Sequence, residues 1–90
     1  MNDQQVLEEL VSLLETNGIQ VRTEPLAGQG GGLCTVRGQT ILFLDTQSTA
    51  TDSAAVCAGA LEQVLDIETL YLKPQIREFI QVCSHKPGLD

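Results

Sequence analysis

Apolar residues recur every three or four positions near the start of the chain: Val6, Leu7, Leu10, Val11, Leu13 and Leu14. That spacing is the helical period and predicts an amphipathic helix over residues 3–16. Asn2 or Asp3 can cap its first turn, Glu8 and Glu9 lie near its positive end, and Asn17 with Gly18 stops it. The pattern then shortens to a period of two. Ile19, Val21 and Thr23 face one way and Gln20, Arg22 and Glu24 the other, as in a half-buried strand, with Pro25 ending the ladder. Glycines at 28, 30, 31 and 32 make residues 26–32 a loop. Residues 33–37 and 40–45 read as two strands joined by a short turn at Arg37, Gly38 and Gln39, an antiparallel hairpin.

The second strand of that hairpin runs Ile41, Leu42, Phe43, Leu44 without alternation. Such a run predicts cover on both faces, either by helices divided between them or by another chain. Thr49 and Asp52 resemble a capping box and Thr51 is an equally good cap, so either can start the helix, which extends to about residue 65. Ala54, Ala55, Ala58, Gly59 and Ala60 give it a small-residue side for close packing, which predicts a packing reason for the internal glycine. Residues 69–72 suggest a short fourth strand. Pro74 suits the first position of a last helix, whose face is Ile76, Phe79, Ile80 and Cys83.

The expected fold is therefore α+β in the order α-β-β-β-α-β-α, a small antiparallel sheet of three to four strands packed by three helices. Residues 1–83 form one domain and 84–90 a flexible polar tail. Ninety residues leave no room for a second core. Five basic against twelve acidic residues, a net charge of -7, argue against nucleic acid as a partner. No apolar stretch reaches the ~18 residues that suggest a membrane span, and no signal peptide opens the chain. Three widely spaced cysteines suggest reduced thiols and a cytoplasmic protein.

Four groups of residues bear on chemistry. The glycine loop precedes a strand, whereas phosphate-binding loops precede a helix, so it is neither a P-loop nor a dinucleotide fingerprint. It reads first as a flexible crossover. Its functional reading is a small-ligand or anion site made by Gly30, Gly31 and Gly32 with Cys34, Arg22 and Arg37. Cys34 as a nucleophile would need a base, and His85, the one histidine, falls in the expected tail. Cys57 and Cys83 read as small buried hydrophobes; a zinc site from the three cysteines and His85 is the remaining alternative. Asp45 ends the apolar strand, where it suits the amides of the following turn at 46–49. No catalytic residue, metal or cofactor is expected.

Two resemblances add to this reading. The strings GIQVRTEPL (18–26), GGGLCTVRG (30–38), ILFLD (41–45) and YLKPQIREFI (71–80) resemble a group of small bacterial proteins with no assigned function. The order helix, strand, hairpin, helix is similar in layout to ImmA/IrrE-type metallopeptidase domains. Their zinc-binding helix carries H-E-x-x-H, and the corresponding helix here has Ala54, Ala55, Val56, Cys57 and Ala58. Without the histidines and the glutamate, neither zinc binding nor water activation follows.

The functional expectation is a non-catalytic interaction module that homodimerises. Its motive is the two-sided apolar strand, with Leu42 and Leu44 as interface residues, in a chain with three aromatics to cover a sheet.

Overall fold

A computed structural model describes residues 1–28 and 31–84. The element order is α1 (Asp3–Thr16), β1 (Gln20–Glu24), β2 (Gly31–Val36), β3 (Gln39–Asp45), α2 (Ala50–Val64), a 3-10 turn (Ile67–Thr69) and α3 (Pro74–Ser84). The fold is α+β.

Local chemistry sets the helix ends. Asn2 and Gln5 form a reciprocal capping box: the Asn2 carboxamide oxygen accepts from the Gln5 amide at 2.8 Å, and Gln5 accepts from the Asn2 amide at 3.0 Å. At the other end Gly18 takes φ 88°, the Ile19 amide donates to the Leu14 carbonyl at 3.0 Å, and the Gly18 amide to Glu15 at 3.1 Å. This is a Schellman closure, and its hydrophobic pair is Leu14 with Ile19, both buried. Thr49 caps α2 by accepting from the Asp52 amide at 3.1 Å.

The sheet order is β1-β3-β2. β2 and β3 form the expected antiparallel hairpin, but β1 lies parallel to β3 on its other side. The sheet is thus mixed, not wholly antiparallel. The most apolar strand, β3, is therefore central, between β1 and β2. The segment at 69–72 joins no strand. Asp66 accepts from the Glu68 amide at 3.1 Å and turns the chain into the 3-10 helix, and the Arg77 guanidinium donates to the Leu70 carbonyl at 3.2 Å. Leu72 is buried and Tyr71 is 88% exposed, an alternation that imitates a strand without a ladder.

α1 lies against β1, α2 lies against β3 and β2, and α3 packs on α1 and α2. The core joins Leu10 and Leu14 of α1, Leu42 and Leu44 of β3, Cys57 and Leu61 of α2, and Ile76 and Ile80 of α3. Ala54 and Ala58, both wholly buried, let α2 approach closely. Gly59 has no such role, because a Cβ there would meet no atom within 4 Å. Gly59→Ala is therefore expected to stabilise the fold by roughly 0.5–1 kcal/mol through lost backbone entropy in the unfolded chain. Urea unfolding measures this, and a destabilised variant would restore a packing reason for the glycine.

Ser84 ends α3 and is not part of a tail. Residues 85–90, with His85, lie outside the described residues, as does Gly30.

Candidate functional site: the outer sheet face and the β2 edge

Strand parity divides β3. Leu42 and Leu44 point into the helical layer and are 0% and 3% exposed, so they are core residues and not interface residues. Ile41 and Phe43 point to the opposite, outer face. There Ile41 is flanked in register by Gln20 and Cys34, and Phe43 by Arg22 and Gly32. Among the described residues, helices cover one side of the run only: Leu42 and Leu44 meet them, while on the outer side Ile41 is buried at 7% exposure without a helix over it and Phe43 stays half-buried.

The candidate residues separate accordingly. Gly31, Gly32 and Cys34 come together with Leu26, Leu33 and Phe43 around a cleft of about 380 Å³. Arg22 shares the outer face, but its guanidinium pairs with Glu24 at 2.7 Å. Arg37 does not join them. It sits in the hairpin turn, where φ of 52° at Arg37 and 80° at Gly38 mark a two-residue type I′ turn. The five strand steps back to Gly31 span roughly 17 Å. Among the described residues no charged side chain lines the cleft.

Asp45 organises the cleft's rim. It is 2% exposed, and its carboxylate accepts from the amides of Gln47 at 3.0 Å, Gly28 at 2.8 Å and Leu26 at 3.3 Å. The expected turn contact is present, and two more bonds tie down the glycine loop. They hold Ala27 at φ 58°, a left-handed conformation that costs a non-glycine residue roughly 1–2 kcal/mol. Leu26, Phe43 and the anchoring role of Asp45 were not singled out from the sequence. The register that places Phe43 opposite Gly32 follows from the turn being Arg37 and Gly38 alone, one residue shorter than the expected turn at 37–39.

The three thiols differ. Cys34 is exposed, Cys57 is buried, and Cys83 is intermediate. Burial pushes the Cys57 thiol from its ordinary 9.0 up to about 12. Cys83 is raised by burial and then by the charge of Glu62. A thiol held protonated in the fold contributes stability below its unfolded pKa and loses it as pH rises through the folded one. Wild-type stability is expected to fall between pH 9 and about 12 by about 1.4 kcal/mol per pH unit from Cys57. Urea unfolding at pH 8 and 10.5 should show that loss in the wild type and a smaller one in Cys57→Ala. Equal losses would remove Cys57 as the cause.

Among the described residues no three His, Cys, Asp or Glu side chains are grouped to hold a metal ion, and no helix is long and apolar enough to cross a membrane. No protein-family model, curated protein or solved structure matches the chain.

Proposed function

We propose that this protein is a small non-catalytic interaction module that works as a homodimer. One observation carries the reading: the helices cover a single face of the sheet, leaving an outer face and an open edge strand, β2, with apolar groups at the surface. Phe43 is half-buried there and Val36 is 46% exposed. An unblunted edge strand is a template for pairing with another strand. The three free thiols support a reducing, cytoplasmic setting.

The test is molar mass in solution by light scattering on the full chain, with metal content read from the same sample. Twice 9.7 kDa without metal is the expected result. A metal-free monomer overturns the reading, and stoichiometric zinc replaces it with a metal site.

A second reading, small-ligand binding, rests on the cleft at Gly31, Gly32 and Cys34. An anion there would have to draw Arg22 from Glu24. Saturable NMR shifts of the Gly31, Gly32 and Cys34 amides on adding inorganic phosphate or acetate would establish it, and their absence would remove it.

A further inference from the structure

We infer that two copies pair antiparallel through β2, centred on Cys34, and that Val36 of each copy fills the glycine cleft of the other. The inference rests on the homodimer reading above and supplies its surface and register.

Charge selects the strand. Each copy carries a net charge of -7, so association through a charged surface is opposed by self-repulsion. β1 carries Arg22 and Glu24 and is followed by Pro25, the devices that blunt an edge. β2 reads Gly, Gly, Leu, Cys, Thr, Val and carries no charge. It lies at the opposite edge of the sheet.

Backbone geometry selects the register. Val36 and Gln39 flank the two-residue turn and pair across the hairpin, so Val36, Cys34 and Gly32 turn their amides and carbonyls toward β3. Leu33 and Thr35 turn theirs to the open edge. Of the antiparallel pairings with a second β2, the one that uses both of these residues on each strand exchanges bonds between Leu33 of one copy and Thr35 of the other. The two-fold axis then falls on Cys34. This is a position without hydrogen bonds, where facing Cα atoms lie about 4.5 Å apart.

Shape selects a second copy as the occupant. In this register Val36 of one chain stands opposite Gly32 of the other. Both face the outer side of the sheet, because Gly32 pairs with Phe43 and Val36 with Gln39. A Cβ at Gly32 would meet no atom of the described residues within 4 Å, which leaves space above it beside Phe43 and Leu26. The exposed valine is the knob and the cleft is the hole, two residues to either side of the axis. Because both belong to the same short strand, each copy offers both halves of the contact, as an isologous interface requires. The result is a continuous six-stranded sheet.

The experiment compares the full-length wild type with Thr35→Pro and Val36→Lys at about 0.1 mM, enough to saturate a micromolar interface. Proline removes an amide that faces the open edge and is compatible with an edge strand. Lysine replaces an exposed side chain, so this variant keeps its fold. The expected result is a dimer for the wild type and half that mass for both variants, with unchanged circular dichroism for Val36→Lys. Added diamide, which takes up the two electrons and two protons released by two thiols, should link the wild-type chains through Cys34. A dimer of full mass in Val36→Lys, or a link formed equally by Cys34→Ser, overturns this interface and leaves self-association standing. A monomeric wild type overturns both.

Discussion

Asp45→Asn is expected to lower stability by about 3 kcal/mol, a large share of the roughly 5–13 kcal/mol available to a chain of this length. The wild-type carboxylate only accepts, and three amides converge on it in a site 2% exposed. Hydrogen bonds to a charged group contribute roughly 1.5–3 kcal/mol each, and an orphaned buried donor costs a further 1–3. Asparagine keeps one oxygen, which can serve Leu26 and Gln47, but turns an NH2 group toward the Gly28 amide. Two donors then face each other. The loop at 25–28 would be released, and with it the conformation of Ala27 and the rim of the cleft. Thermal unfolding should show a fall of roughly 12–24 °C. The proposed dimer should weaken as well, because Leu26 lines the cleft proposed to receive Val36. A shift below about 4 °C would mean that water replaces the carboxylate without loss and that Asp45 does not organise the loop.

Legibility in the sequence followed the range of the interactions. Both ends of α1 were readable because Asn2, Gln5 and Gly18 act within one turn of the helix they close. The hairpin was readable from the short connection at Arg37, Gly38 and Gln39, although Gln39 belongs to β3 and the turn itself is the two residues Arg37 and Gly38. The partner of β1 was not. Strands consecutive in sequence usually pair, and nothing local shows that β1 pairs with β3 and not with β2. The apolar run at 41–44 was expected to be covered on both faces, and helices lie on one; a run without alternation hides its own parity. Leu42 and Leu44 were therefore expected at an interface, when they face the helices and leave Ile41 and Phe43 on the outer side. The segment at 69–72 alternates like a strand, and only the Arg77 bond to the Leu70 carbonyl shows that a side chain takes the place of a ladder. Asp45 was assigned its turn two residues away. Its other partners lie 17 and 19 residues back, beyond any local pattern.

Gly31→Ala should carry a second large effect, opposite in sign to Gly59→Ala. Gly31 has φ 98°, a conformation closed to residues with a side chain, and it begins β2 opposite Leu44. A Cβ there would collide with the backbone carbonyl of Phe43 on the central strand. A flexible side chain could swing aside, but that carbonyl is fixed by β3 between two neighbours. The collision can be relieved only by peeling the start of β2 from β3. Backbone strain of about 1–3 kcal/mol adds to the lost ladder bonds, each about 1 kcal/mol, for a total near 3. Gly28→Ala separates the two contributions. Gly28 also has positive φ, 81°, but its Cβ would meet nothing within 4 Å, so it should show strain alone. Urea unfolding of both variants makes the comparison. A Gly31→Ala loss no larger than that of Gly28→Ala would mean that the chain at residue 31 does not pass against Phe43. The same substitution also acts on assembly. Peeling residue 31 disturbs Gly32 and the cleft above Phe43 in both copies of the proposed dimer, so neither Val36 keeps its seat. Gly31→Ala should therefore weaken the dimer at temperatures well below its own unfolding. Gly28→Ala, at a similar cost per left-handed residue, should leave the monomer–dimer balance closer to that of the wild type.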